Sequence, residues 1–425
     1  MPQWFPVALC FTWYLLTTGS VYLIMPIRGA FLMTNCGAGI IPWTFMANAI
    51  ATGLAVWFYG RYAHLPRKKL IGGTLGVIWS TLLIWSVAAF AARDIGWISF
   101  LFSVWTDIFL ILAVTVFWST IDDIFTLEGA KARYGIIAAA GPLGAIIGSY
   151  VSEALVHRLG PSGMLLLAAG SFAIIIPIFI FLDRWAESTN AGGKRAAPVR
   201  KIQDLSQFIE VGRSIVSSKI LFLITVAVCF ECIVPNLMTY ILSSEMAAAY
   251  PKAEDMAQAF ARFFLLTNTI GFMVSVFLTT WFFSRVGVGG AMTVCALVSF
   301  GGLASFAIWP ALITTIAGKT FEDLMRFTLY RSAKEAIYTV APREVVYRVK
   351  AYVEVFIYRL ASGTSGIILL VITNDRLLGY GPRAVAIAGI PLAIGWILAT
   401  TALGKEFINM KEQSEPLSTE MKTNA

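Results

Sequence analysis

Long apolar runs separated by short polar intervals fill most of the chain. Each run is wide enough for the roughly 20 residues that a helix needs to cross a bilayer. The breaks fall where Gly, Pro and charged residues gather. The pattern predicts about twelve membrane helices, with cores at 5–26, 41–60, 70–92, 98–121, 134–156, 162–183, 219–242, 259–284, 287–308, 311–333, 350–373 and 382–404. Runs this long and unbroken do not alternate as barrel strands do, so a membrane β-barrel is excluded. Residues 184–218 form the one long polar interval. Its first part, ESTNAGGKRAAP, has linker composition. Its second part, RKIQDLSQFIEVGRSI, sets Ile202, Leu205, Phe208 and Ile209 on one helical side, as an interfacial amphipathic helix does. The expected organisation is all-α: a six-helix bundle over 1–183, a cytoplasmic linker over 184–218, a second six-helix bundle over 219–405 and a disordered cytoplasmic tail over 406–425.

Composition strengthens the membrane assignment. The 425 residues are 58% hydrophobic and 13% charged, against about 25% charged in soluble domains, and the mean hydropathy is +0.76. The formal net charge of +8 raises nucleic acid or acidic lipid as partners, but its placement gives a plainer account. Basic residues crowd alternate loops: Arg61, Arg67, Lys68 and Lys69, then Lys131 and Arg133, then Arg184, Lys194, Arg195, Arg200 and Lys201, then Arg285, then Arg343 and Arg348. That bias puts both termini in the cytoplasm. No nucleic-acid module accompanies it. Cys229 and Cys232 make a CxxC within a membrane run, where packing accounts for them better than redox or zinc chemistry. His64 and His157 sit at span ends, and neither a metal site nor a cofactor is expected. The N-terminus lacks a basic region before its first apolar run, so no cleavable signal is expected.

The charged positions inside the apolar sequence carry the chemistry. Lys319, Glu322, Asp323 and Arg326 are spaced by three, four and seven, which places them on one helical face, with Tyr330 and Lys334 extending it. Beyond Pro342, Lys350, Glu354 and Tyr358 share a face at steps of four. A charge at mid-bilayer costs about 2.5–3.5 kcal/mol on insertion scales, so these groups face a cavity or one another. Structural ion pairs and a water-accessible site for a charged solute are both compatible with the pattern; mixed charge on two helices favours the second. Glu231 stands alone in AVCFECIVPNLMTY, and a lone buried carboxylate protonates, finds a basic partner or faces water. Arg28 follows Pro26 within apolar sequence, where snorkelling to the interface is an equal reading. Asp107 reads as an outer-surface residue, and Asp122 and Asp123 as a cytoplasmic mouth paired with Lys131 and Arg133. Gly141, Gly144 and Gly148 line one face, where they let helices approach closely. Gly318-Lys319-Thr320 imitates the end of a P-loop, but Ile313 stands where the earlier glycine is required. No hydrolase or metalloprotease motif occurs, so an enzyme is not expected.

The run RFTLYRSAKEAIYTVAPREVVYRVKAYVEVFIYRLASGTSG resembles the nucleotide transporter family, the ATP/ADP antiporters of plastids and intracellular bacteria with their free-living bacterial relatives. Arg326, Lys334, Glu335, Pro342, Lys350, Glu354 and Arg359 occupy the positions of that family's pattern. IRGAFLMTNCGAGIIPWTF, FWSTIDDIFTLEGAKARYG and the placement of Glu231 in the seventh span agree with it, so the resemblance covers most of the chain in order. There are three departures from the pattern: Gly29 stands where an acid usually follows the first-span basic residue, Arg331 stands where an acid or amide is usual, and the basic residue usual a few positions beyond the seventh-span glutamate is missing from the region of Asn236 and Tyr240. The departures bear on ATP/ADP specificity rather than on the fold.

The resemblance implies a major-facilitator-like fold of two six-helix bundles, a multi-pass place in the bacterial inner membrane, and alternating access to a central site. STIDDIFT at 119–126 and KEAIYT at 334–339 relate the two halves weakly. The expected solute is a phosphate-bearing anion such as a nucleotide, exchanged or taken up without ATP hydrolysis by a protein acting as a monomer. Arg28, Lys319, Arg326, Lys350 and Arg359 are the candidate cations, and Glu231, Glu322, Asp323 and Glu354 their neutralising partners. Tyr330 or Tyr358 is the candidate for stacking on a base. Carriage of phosphate or another organic anion, and a non-transporting scaffold or receptor, stay open as alternatives.

Overall fold

The computed structural model describes residues 4–62, 65–91, 94–125, 127–188, 205–277, 279–338, 349–350 and 352–423, and no strand occurs among them. The helices are α1 (Trp4–Cys36), α2 (Ile41–Arg61), α3 (Arg67–Ala91), α4 (Gly96–Ile124), α5 (Leu127–Ser188), α6 (Leu205–Ser217), α7 (Lys219–Ala249), α8 (Ala253–Phe277), α9 (Thr279–Ile308), α10 (Leu312–Met325), α11 (Arg331–Tyr338), α12 (Tyr358–Thr373) and α13 (Pro382–Thr423). Two of them hold the turns that the sequence predicts. Gly160 in α5 has φ 63° and ψ 178° and precedes Pro161, so the chain reverses between the fifth and sixth expected spans. Gly287 in α9 has φ 70° and ψ 177° and separates the eighth from the ninth. A residue with a Cβ is strained at such a φ, and proline disfavours helix in the residue before it.

Ten helical segments among the described residues are long and apolar enough to cross a membrane. One of these contains both arms of α5, and α10 with α11 adds a further, more charged rod, giving the twelve expected. The protein is therefore an all-α, multi-pass membrane protein. Its outer faces are apolar: Ile84, Val87 and Phe90 on α3 point outward. Charged side chains lie inside instead, among them Asp183, Glu231, Lys319, Glu322, Asp323 and Lys334.

The chain forms two compact units. The first comprises Met1–Ile40, Ile50–Lys201 and Met246–Thr269; the second comprises Ile41–Ala49, Ile202–Glu245 and Ile270–Ala425. Each unit thus takes a short segment from the other half of the sequence. Met246–Thr269 joins the first through the start of α8, where Arg262 donates to Glu153 at 3.0 Å and Gln258 donates to the Glu153 carbonyl. Ile41–Ala49 joins the second through Gly366, where an added Cβ would lie 2.6 Å from the Pro42 carbonyl oxygen. The tail departs from expectation, because α13 continues past Glu406 to Thr423. Glu406 is held by Lys219 at 2.6 Å, and the KEFINMKE run that follows Gly404 is built mostly from good helix formers.

Parts of the expected organisation lie outside the described residues: most of the linker, Ile202, Thr126, Thr339, Pro342, Arg343, Arg348, His64, and the side chains of Asp123, Lys131, Leu205, Phe208 and Ile209.

In the first unit α1 crosses α5 backbone to backbone. A Cβ on Gly148 would stand 2.3 Å from the Gly19 carbonyl oxygen, and one on Gly144 would stand 2.4 Å from that of Leu15. Between helices in lipid the hydrophobic effect gives no drive, so close packing of this kind holds them together. Beside the crossing, Tyr14 stacks on Phe117 with ring centroids 4.5 Å apart. In the second unit Gly302 of α9 and Gly318 of α10 make a comparable contact, with a Cβ on Gly318 lying 3.0 Å from Gly302 Cα. Gly148→Ala is expected to destabilise by about 1–3 kcal/mol, the usual cost of overpacking, seen as a lower unfolding midpoint in detergent. Gly170→Ala, with nothing within 4 Å of the new methyl, should leave the midpoint in place. Equal midpoints for the two variants would show that the crossing yields without cost.

Candidate functional site

The site begins on α10, whose polarity is inverted relative to a soluble helix. Phe321 and Phe327 are 55% and 56% exposed, whereas Glu322 between them is 0% exposed. The predicted face closes on itself. Lys319 Nζ donates to Glu322 and, at 2.8 Å, to Asp323 Oδ1. Arg326 donates from Nε to Glu322 Oε1 and from Nη2 to Asp323 Oδ1, both at 2.7 Å. Each carboxylate is thus shared by both cations, through i,i+3 and i,i+4 steps along one helix. Two cations and two anions balance, which is the condition for keeping such charges in a low-dielectric interior. The Arg326 guanidinium also lies 4.2 Å from the centroid of the Phe327 ring, a cation–π contact.

From Arg326 to Tyr330 the backbone is π-helical. The wider turn inserts one residue and rotates everything after it. Tyr330 therefore leaves the charged face. It is fully buried, donates to the Ala227 carbonyl at 3.3 Å and accepts from Trp396 Nε1 at 3.4 Å. This corrects the assignment of Tyr330 as a stacking platform, since its ring is sealed edge-on against Trp396.

Past the π-turn, Lys334 on α11 reaches Glu231 on α7, with Nζ 3.0 Å from Oε2. Glu231 is accordingly not isolated, and of the three outcomes open to it the structure shows a basic partner. The same ammonium lies 3.6 Å from Glu354 Oε1. Glu354 sits in a second π-helical segment, Tyr352–Ile357, so steps of four no longer stack as they would on an α-helix. Lys350 departs from its expected face and donates to Glu335 at 2.6 and 2.8 Å, in a more exposed pair near the Tyr338 ring. Tyr358 is half-buried; its carbonyl accepts from Cys232 Sγ at 3.5 Å. Cys229 and Cys232 are both free thiols. Arg359 lies 6.0 Å from the Tyr358 ring centroid, and among the described residues no carboxylate forms an ion pair with it.

Arg28 belongs to the first unit. It does not snorkel. Its guanidinium makes a bidentate pair with Asp107 at 2.7 and 2.9 Å, and Nε donates to Ser103 at 2.9 Å. Asp107 is therefore the partly buried partner of Arg28 rather than an outer-surface residue. Next to it, a Cβ on Gly29 would meet the Phe260 ring at 3.0 Å. A side chain at position 29 would press on the Phe260 ring, which would have to give by a few tenths of an ångström, and Arg28 takes its carboxylate from Asp107 on α4. At the other end of that helix, Asp122 accepts from Tyr134 Oη at 2.9 Å.

Sequence reasoning placed Lys334 on the charged face but did not assign it to the site, and it missed Asp107 as a partner and Glu153 altogether. Lys334 and Glu231 are 103 positions apart, and no periodicity within one helix reports a contact between two. The ladder on α10 has a measurable signature. Lys319→Met leaves two buried carboxylates sharing Arg326 and is expected to cost about 3–5 kcal/mol, as for breaking a buried pair. Adding Glu322→Gln to that variant should recover part of the loss. Strict additivity of the two changes in thermal unfolding would refute a coupled network.

No family model matches the chain. In sequence it is 21% identical, over 399 residues, to ADP,ATP carrier protein 1 of Chlamydia pneumoniae, covering 83% of this chain and 74% of that protein. In structure it is similar to the nucleoside transporter NupG, with a TM-score of 0.65, 12% identity and coverage of 94% of this chain and 99% of that one. It is also similar to a POT family transporter crystallised with 5-aminolevulinic acid, with a TM-score of 0.66, 11% identity and coverage of 94% and 96%. A D-xylose-proton symporter gives a TM-score of 0.62, 12% identity and coverage of 93% and 96%. These structures establish the fold alone. The chain is a membrane protein of the major-facilitator fold, and its resemblance to the nucleotide transporter family holds over most of its length.

Proposed function

We propose that this protein carries a phosphate-bearing anion, a nucleotide in the first instance, across the bacterial inner membrane by alternating access, with both termini cytoplasmic and without enzymatic turnover. The observation that carries the proposal is the set of cations buried in the second unit and held by exchangeable carboxylates. Lys319 and Arg326 are neutralised by Glu322 and Asp323, and Arg359 stands beside Tyr358 with no carboxylate partner among the described residues. A phosphate recruits such groups well. Guanidinium offers planar paired donors, and charge-assisted bonds in a water-poor site are the strong ones. The carboxylates keep the cations hydrogen-bonded while the solute is away. They are replaced by phosphate oxygens when it arrives, so solute and carboxylate compete for the same donors. A solute that binds one access state better shifts the population toward that state.

The sequence similarity to a protein named as an ADP,ATP carrier supports nucleotide over other anions. The fold does not choose, because its neighbours are named as nucleoside, POT family and D-xylose transporters. Gly29 and the exposed Arg331 give a specific reason to keep inorganic phosphate and other organic anions as the second reading, because the first stands where the family usually holds an acid and the second where it usually holds an acid or amide.

Purified protein in liposomes, loaded and challenged with labelled ATP, ADP, GTP and inorganic phosphate, separates these readings. Counter-flow of a nucleotide is expected. Uptake of phosphate alone would select the second reading, and no movement of any of the four would end the proposal. Arg359→Ala and Arg326→Ala are each expected to lower uptake about tenfold or more, the effect of losing one charge-assisted contact. Lys350→Ala should lower uptake without loss of membrane insertion. Wild-type rates in all three would remove these residues from the path.

A further inference from the structure

Away from the charged ladder, α9 and α13 of the second unit cross with their backbones in contact. A Cβ added to Gly289 would stand 2.4 Å from Gly404 Cα. Next to that crossing the chain reverses at Gly287, and a cavity of about 750 Å³ opens there, a volume within the range of small-molecule sites. Gly287, Gly289 and Gly290 leave one wall without side chains. The rest is mostly apolar, with Val286, Val288, Phe407 and Ile408. Thr293 and Thr401 also line it, but each hydroxyl donates to a carbonyl of its own helix, Gly289 at 3.2 Å and Ile397 at 2.7 Å. Lys405 is the charged side chain among the lining residues.

The exposed face of α13 shows what medium the cavity meets. Ile387, Ile394, Leu398, Thr401, Lys405 and Ile408 are exposed at steps of seven, four, three, four and three, so they form one stripe along the helix. An apolar outer stripe on a membrane helix faces lipid. This one is apolar as far as Leu398 and turns polar at Thr401 and Lys405, the change expected where a helix leaves hydrocarbon for headgroups. On α9, Arg285 is exposed immediately before Val286 of the wall. Neither Arg285 nor Lys405 forms an ion pair with a carboxylate among the described residues, and Glu406, next to Lys405, is held by Lys219 at 2.6 Å.

We propose that this cleft binds one anionic phospholipid from the surrounding leaflet, its phosphate drawn to Lys405 and Arg285 and the upper part of an acyl chain lying against Val286, Val288, Phe407 and Ile408. The site is separate from the ladder on α10 and does not rest on the anion-carrier reading. Two cations without carboxylate partners at headgroup level attract an anion, and lipid phosphate is the anion that a membrane supplies there. A zwitterionic lipid brings an ammonium of its own, which opposes the attraction of both cations. A soluble phosphate has no chain to cover the apolar wall, so the wall gives it nothing. Headgroup and chain together match the two kinds of surface that the cleft presents, a charged rim and an apolar floor bared by three glycines.

Native mass spectrometry of the full chain in detergent, titrated with phosphatidylglycerol and separately with phosphatidylcholine, measures the tightest bound lipid. Phosphatidylglycerol is expected to be held several-fold more tightly than phosphatidylcholine. Lys405→Gln and Arg285→Gln should each weaken phosphatidylglycerol about fivefold, the effect of one cation beside an anionic headgroup, and leave phosphatidylcholine unchanged. Arg376→Gln, which removes an exposed cation in the turn ahead of α13, should change neither. Thr401→Phe places a ring in the cleft and should weaken both lipids. Gel filtration checks the folding of each variant; should Thr401→Phe fail to fold, the two charge variants decide. Equal binding of the two lipids by the wild type, or unchanged phosphatidylglycerol binding in both charge variants, overturns the proposal. Inorganic phosphate is then added as a soluble competitor. Retention of the lipid in its presence is expected, and displacement by an equal concentration of phosphate would show that the cleft takes a free anion instead.

Discussion

A formal charge inside a bilayer persists only where another charge or water answers it, and α10 meets that condition within two turns of its own backbone. Lys319 and Arg326 bracket Glu322 and Asp323, and every ammonium, guanidinium and carboxylate in the ladder has an ionic partner of opposite sign. The arrangement of the second unit follows from this. The helix turns its aromatic residues outward and its ions inward, the reverse of a surface helix in water. It approaches α9 through Gly302 and Gly318, whose backbones nearly touch. A self-contained ladder can also open without stranding any one ion, because each member has two partners to fall back on.

The π-turn at Arg326–Tyr330 makes the transition from that balanced ladder to the unbalanced group around Lys334. Were α10 and α11 one regular helix, Arg326, Tyr330 and Lys334 would share a stripe. The inserted residue sends Tyr330 to Trp396 and Lys334 to Glu231 instead. One rod thereby serves a packing role, a balanced ion role and an unbalanced one in succession. The second π-helical segment carries Glu354 toward the same lysine. Such bulges concentrate at functional positions because the surrounding structure must hold a backbone that is less favourable alone.

Much of the fold was legible from the chain, for definite reasons. Membrane helices are marked by sustained hydropathy, and the reversals at Gly160 and Gly287 by glycines whose backbone other residues avoid. The ladder on α10 was legible because it is local: its partners are three and four residues apart. What could not be seen was non-local or subtle. The Arg28–Asp107 and Lys334–Glu231 pairs join separate helices, and single-helix periodicity gives no signal for them. A π-turn adds a single residue, which leaves no mark in hydropathy, so Tyr330 appeared on the wrong side. The tail was read as disordered from its polarity, although polar helix formers with an anchored start continue the helix.

The closeness of Gly29 to the Phe260 ring ties two distant sequence positions into a single steric choice. With the aromatic ring of Phe260 in this position, any Cβ on the residue after Arg28 presses against it, and a larger side chain there needs the ring to give way. Across relatives of this chain the two sites should accordingly vary as a compensated couple, large against small.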